Sequence, residues 1–268
     1  AWNQGITRNK IESGTAFEAQ DESVTAAVKG RIQAYIDALH GFSGLYASSS
    51  YVSEKEFQTY YDSLDLAAHY PGVRDVAFVA RVHENQVPAF VTEHRQDDSL
   101  VTGGHPAFDI LKKTSYDPHF VATYVANNAT SAMLGLDLTA TPGRYEIYSQ
   151  AVMSGNTYAS GTVEFAASRT RPASRGFFIT IPVKNTGSSE YIGLVNVVFD
   201  YDTFFAKLFN DTSSRDDLAI SIRDGQTAIY ESGTRSGSAT YAQTTPVAVA
   251  NRTWHVTTEA ATGFGIAQ

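Results

Sequence analysis

The sequence predicts an α+β fold: one long N-terminal helix followed by two antiparallel-sheet subdomains, the first larger than the second. Three observations predict it. Val28, Ile32, Tyr35, Leu39, Phe42 and Tyr46 recur in alternating steps of four and three, a helical stripe without a break. Between Val73 and Phe199, segments rich in β-branched and aromatic residues alternate with turn signals and helical patterns. From Leu218 to Glu259 the chain changes to short strands joined by turns. The boundaries that follow are a stalk helix over 1–50, a larger subdomain over 51–200 and a smaller one over 201–268.

From Asp21 to Ser49 the first helix would run roughly 40 Å at ~1.5 Å per residue. Its stripe has two readings: packing against a twin helix in a homodimer, favoured before Leu39, and packing against the protein's own sheets, favoured after it. Ser53 and Glu56 form an S-x-x-E capping box that opens a second helix through Phe57, Tyr60, Tyr61 and Leu64. Pro71-Gly72 punctuates the chain before a strand Val73–Val82, and a helix from Glu84 to Arg95 follows. The connection from Asp97 to Pro118 is irregular, with one short strand at Phe108–Leu111. Phe120–Val125 is a strand, and Leu136-Asp137-Leu138 ends the turn after it. Thr141 and Pro142 suit the N-cap and first position of a helix. That helix carries Tyr145, Tyr148, Ala151 and Val152 at helical spacing and stops at Gly155.

Strands Thr157–Phe165, Gly176–Val183 and Tyr191–Phe199 complete a sheet of about five strands, with helices gathered on one side and a cavity beneath them. After a helix Tyr201–Asn210 come Leu218–Arg223, an Asp224-Gly225 turn, Gln226–Glu231, Thr240–Ala250 and Trp254–Glu259, which make a second, smaller sheet.

The 268 residues are 43% hydrophobic and 18% charged, ordinary for a folded chain that buries one large or two small cores. A formal charge of −8 argues against nucleic acid and anionic headgroups as partners, since phosphate contacts need clustered Lys and Arg. With no cysteine, thiolate catalysis and Cys-ligated metal sites are excluded. The seven histidines never sit three or four apart, and no nucleophile elbow, P-loop, dinucleotide fingerprint or zincin motif occurs. Asp97-Asp98 and Asp216-Asp217 read as solvated pairs. The expectation is a binding domain with no enzyme activity, cofactor or metal. No apolar run approaches the ~20 residues that cross a bilayer.

Four segments in order, YPGVRDVAFVARV (Tyr70–Val82), LGLDL (Leu134–Leu138), GFFITIPV (Gly176–Val183) and YIGLVNVVFDYDTFF (Tyr191–Phe205), resemble the CHASE domain. This is the extracytoplasmic sensory module of receptor histidine kinases, diguanylate cyclases and adenylate cyclases. The resemblance implies two PAS-like subdomains, the larger membrane-distal and the smaller membrane-proximal. It also implies spanning helices just before Ala1 and just after Gln268, so that the full protein is anchored on both sides of this domain. The plant cytokinin receptors of this family hold their ligand between the distal sheet and its cover, where an Asp recognises a purine-like ring. Aligned on Leu136-Asp137 and Gly155, Asn128 stands at that Asp and Ser160 where those receptors carry a Thr. An Asn has no charge, so an adenine-type cytokinin is not the favoured ligand.

Alternate residues of a strand share a face, and the expected pocket walls are Phe120, Tyr124, Phe178, Thr180, Leu194 and Val197. Simple core packing is the competing reading, and Asn128 fits equally well in a turn. Asp137 reads as a cap or loop-fixing carboxylate ahead of the helix. The function expected is small-molecule sensing with transmission across the membrane. The alternative is a module that binds a protein partner or dimerises without a ligand of its own.

Overall fold

The computed structural model describes residues 2–126, 132–166, 172–209, 218–234, 239–260 and 264. The first element is the helix α1, Trp2–Ala47. Its stripe is longer than the heptad pattern suggested, because Phe17, Asp21 and Val24 continue it at the same spacing, and every member from Phe17 to Tyr46 is buried within the single chain. The two compact units of the chain share this helix: a larger unit, 35–200, and a smaller one formed by 1–34 with 201–268.

In the larger unit, α2 (Glu54–Ser63) starts at Ser53. The Ser53 hydroxyl accepts from the Glu56 N–H, and the Glu56 carboxylate accepts from the Ser53 N–H at 2.8 Å. A single turn, α3 (Leu66–His69), leads into β1 (Val73–Val82). The helix expected over Glu84–Arg95 is a 3-10 turn, Glu84–Gln86, followed by α4 (Val87–Gln96), with Pro88 in its first turn where no N–H is required. No strand forms at Phe108–Leu111. Leu111 makes one isolated parallel bridge to Leu136 and nothing more.

β2 (His119–Ala126) is followed by a 3-10 turn, Leu138–Ala140, and by α5 (Arg144–Ser154). Thr141 is the C-cap of that turn rather than the N-cap of α5. The helix begins after Gly143, whose φ of +79° turns the chain into it. Gly155, at φ +73°, ends α5 as its sequence position suggests. The expected strand 157–165 is split into β3 (Tyr158–Ala159) and β4 (Val163–Phe165), both paired with β5 (Ser174–Val183). With β6 (Gly193–Asp200) these make a six-stranded antiparallel sheet, ordered β2-β1-β6-β5-β3 with β4 beside β5.

Helices cover both faces of this sheet, not one. On one side the second half of α1 and α2 supply Tyr35, Phe42, Tyr46 and Phe57. Tyr35 packs edge-on against Phe199, and Tyr46 stacks on Phe78 with centroids 4.7 Å apart. On the other side, α5 and the 3-10 turn bury Leu138, Tyr148 and Ala151.

The smaller unit contains α6 (Tyr201–Phe209) and the strands β7 (Leu218–Asp224), β8 (Thr227–Ser232), β9 (Ala242–Val249) and β10 (Arg252–Ala260), ordered β8-β7-β10-β9. The core of this unit is aromatic: Phe205 meets Tyr230 at 4.8 Å and Trp254 at 5.9 Å. The first half of α1 belongs here through Phe17, stacked on Tyr241, and Asp21, which accepts a hydrogen bond from the Thr258 hydroxyl. The α1 stripe is therefore spent inside the chain, and the twin-helix reading of Val28, Ile32 and Tyr35 is corrected: a dimer contact on α1 would need another face.

Phe42 is fully buried against Phe57 and Tyr60. Phe42→Ala is expected to cost about 3–5 kcal/mol, read as a lower urea midpoint at unchanged slope.

Candidate ligand-binding site

The face of the larger sheet beneath α5 is built from Ala77 and Val79 of β1, Phe120 and Ala122 of β2, Phe178 of β5, and Leu194 and Val198 of β6. Tyr148 stands over its centre, with ring centroids 5.4 Å from Phe120 and 5.6 Å from Phe178. The Arg144 guanidinium lies over the Phe178 ring at 5.3 Å. Burial pushes the Tyr148 phenol above its usual pKa, and the neighbouring Arg144 offsets this only in part.

Two polar side chains interrupt this apolar surface. Asn196 and Thr180 are directly paired across β6 and β5, and Asn196 is paired on its other side with Ala77. Both are fully buried, and neither the Asn196 amide nor the Thr180 hydroxyl has a hydrogen-bond partner among the described residues. The Tyr148 hydroxyl also lacks a bond of good geometry. Buried polar atoms are nearly always paired, so the adjacent Asn196 and Thr180 are the exception on an otherwise apolar face.

The cover of this face is fixed by Asp137. Its Oδ1 accepts from the Thr139 N–H at 3.1 Å and hydroxyl at 2.7 Å. Its Oδ2 accepts from the Thr114 N–H and hydroxyl, each at 3.1 Å, and lies 3.0 Å from His119 Nδ1. His119 Nε2 is in turn 2.9 Å from Glu84 Oε2. Burial pushes the Asp137 carboxyl up, but the bonds from Thr139, Thr114 and His119 outweigh it and hold the group below its usual value. One carboxylate thus ties the irregular segment before β2, β2 itself and the turn before α5.

The expected pocket residues separate into groups. Phe120, Phe178, Thr180 and Leu194 lie on the α5 face. Val197 does not, because it stands three residues from Leu194 and points to the α1 side, against Phe199 and Tyr35. Tyr124 is also displaced. Phe78 pairs with Tyr124 while Val79 pairs with Ala122, so Thr123 is an extra residue, and this bulge turns Tyr124 onto the α1 side beside Phe57 and Phe78. Ser160 is buried and engaged: its Oγ accepts from the Phe178 N–H at 2.9 Å and donates to the Gly161 carbonyl at 2.7 Å. Asn128 lies outside the described residues. Asn196 is not among the expected residues, although a lone Asn in the run Leu194–Phe199 is its own signal, since Asn is depleted in strands.

The family model of the CHASE domain matches residues 50–233, more than half of the sequence. The chain belongs to the CHASE domain family. CHASE domains are sensory, and this one is an extracytoplasmic sensory domain. Among solved structures it is similar to an extracellular ligand binding receptor from Desulfohalobium retbaense, at 11% identity and TM-score 0.60, with 92% of this chain and 40% of that one covered. It is similar to the periplasmic sensory domain of the Campylobacter jejuni chemoreceptor Tlp1, at 9% identity and TM-score 0.58, covering 96% and 98%. It is also similar to the ligand binding domain of the Pseudomonas aeruginosa amino acid chemoreceptor PctC in complex with GABA, at 9% identity and TM-score 0.53, covering 92% and 99%. At these identities the likeness establishes the shared fold: a long helix followed by two antiparallel sheets. No curated protein matches the sequence. Among the described residues no helix is long and apolar enough to cross a membrane, and no cluster of three metal-ligating side chains occurs.

Asp137→Ala is expected to lower the stability of this CHASE domain by roughly 3–5 kcal/mol, the usual cost of removing one partner from a buried charged network. Because the folded carboxyl lies below its unfolded value of about 3.9, its contribution is present above that pH and is lost as pH falls through the folded value. Urea titrations between neutral pH and pH ~3 should therefore show a shallower acid loss in the variant.

Proposed function

We propose that this domain is the ligand-sensing part of a membrane receptor with kinase or cyclase output, and that it binds a small molecule on the α5 face of its larger sheet. The paired, unpartnered Asn196 and Thr180 carry the reading. An amide that can donate and accept, a hydroxyl beside it and the Tyr148 phenol above suit a ligand with both donors and acceptors. Phe120, Phe178 and Leu194 supply apolar walls, and Asn128 stays in the proposed set through its alignment. The neutral amide favours an uncharged or zwitterionic polar group over a bare cation or anion. The domain acts by binding, not by catalysis. The receptor is anchored by spanning segments on both sides of the domain and pairs as a homodimer. Pairing through α1 would use the face away from the stripe, where Ile11 is 64% exposed.

A thermal-shift screen of small polar metabolites tests the site. A true ligand at one hundred times its dissociation constant adds about 2.7 kcal/mol of stability. Asn196→Leu is expected to stabilise the unliganded domain by roughly 1–3 kcal/mol, by removing an orphaned amide, and to weaken the ligand about tenfold or more. Ligand affinity unchanged in Asn196→Leu and in Thr180→Val would remove the site from this face.

A further inference from the structure

The opposite face of the same sheet carries a cleft of about 470 Å³. Its floor is aromatic: Tyr46, Phe78, Phe90 and Tyr124 line it, together with His94 and Glu93 of α4. Asp97, the residue that ends α4, reaches toward it and is not the solvated acid its sequence position suggests. Asp97 Oδ2 lies 3.4 Å from the Tyr51 hydroxyl and 3.5 Å from the Tyr124 hydroxyl, and the two hydroxyls are 3.4 Å apart. Bonds between such oxygens cluster near ~2.7–2.8 Å, so these three face one another without a close bond. Tyr46 is buried in the cleft wall, and its hydroxyl has no partner among the described residues.

The cleft carries charge of both signs at separate places. Arg81 lines it on the side of Glu190 and the Tyr191 carbonyl, which lie 3.4 and 3.5 Å from its guanidinium, and the acids are at the α4 side. Burial holds the His94 ring below the ordinary histidine value, against the upward pull of its bond to the Phe90 carbonyl and of Glu93 and Asp97. The ring is therefore neutral at neutral pH and supplies no competing cation. Burial pushes the Asp97 carboxyl up, but its bonds from Ser99 and the Glu54 N–H keep it below its usual value and ionised. What remains is a carboxylate with two loosely held phenols, a second carboxylate at Glu93, and ring faces around them.

We propose that this cleft is a second binding site, for a small primary ammonium ion with an apolar body, an alkylamine or arylalkylamine. The ammonium donates to the Asp97 carboxylate from the cleft side, next to the Tyr51 and Tyr124 hydroxyls that face the same oxygen. The ring faces of Tyr46, Phe78 and Phe90 take the carbon body and attract the cation through their quadrupoles. The site is separate from the α5 face, and each can fail without the other.

Isothermal titration of the full chain at pH 7 with 2-phenylethylamine, n-butylamine and 1,4-diaminobutane tests this, with 2-phenylethanol as the neutral isostere. All three amines are charged there, since alkylammonium groups titrate near pH ~10. The expected result is saturable binding of at least one amine below ~10 mM, with 2-phenylethanol inert and with Asp97→Asn and Tyr124→Phe weakening the amine about tenfold or more. Asn196→Leu, on the other face, should leave it unchanged. Asp97 also accepts from the Glu54 N–H at the start of α2. If Asp97→Asn melts early, Tyr51→Phe, at a half-exposed position, carries the same expectation. The proposal is overturned if no amine saturates, if 2-phenylethanol binds equally, if the Tyr51 and Tyr124 variants bind as the parent does, or if Asn196→Leu abolishes binding.

Discussion

The structure depends on one constraint: the larger sheet is covered on both faces. Every residue of β6 except the last is buried, because α1 and α2 close one side and α5 the other. An antiparallel sheet more often leaves one face to solvent and alternates polar with apolar residues. Here the strands read as almost continuous apolar runs, and alternation decides which of two compartments a side chain enters. Leu194, Asn196 and Val198 go to α5, and Val195, Val197 and Phe199 to α1. A single extra residue at Thr123 moves Tyr124 from one compartment to the other. The two proposed sites follow from this allocation.

What was legible in the sequence was local. The α1 stripe, the Ser53 and Glu56 box and the Gly155 stop each rest on residues within a turn or two of one another, and all three appear where the spacing puts them. The start of α5 shows the limit of such signals. Thr141-Pro142 satisfies the rules for a helix entry, yet the Leu138–Ala140 turn uses Thr141 as its end, and Gly143 supplies the left-handed residue that opens the helix. Site residues depended on partners far away in the chain. The polar neighbours of Asp97 in sequence suggest a solvated acid, yet its Oδ2 accepts from the Glu54 N–H, 43 residues away, and faces the Tyr51 and Tyr124 hydroxyls. Val197 and Leu194 share a strand, but the odd step between them puts them on opposite faces.

Asp137 shows how a short motif acquires its force. A buried carboxylate is costly unless its oxygens are filled, and here donors from Thr114, His119 and Thr139 fill them. These donors come from three separate segments, so the charge is stable only when all three are in place. The LGLDL sequence is therefore a device for closing the α5 face, and its role is structural. Its position between β2 and α5 leaves Asn196 and Thr180 enclosed without touching them.

Asn196 and Thr180 break the logic of packing that their neighbours obey. On the same strand, Val195, Val197 and Val198 show what a chain selected for stability alone would place there. Each orphaned group costs roughly 1–3 kcal/mol, a large part of a domain's net ~5–15 kcal/mol. A sensor has a use for such a cost. A ligand shifts an equilibrium only by the difference in its affinity for two states. Hydrogen bonds that the chain does not make for itself are open to a ligand, and they enter that difference to the extent that only one of the two states can offer them. A pocket already satisfied by its own side chains would have to break bonds to bind, and would have less free energy to transmit.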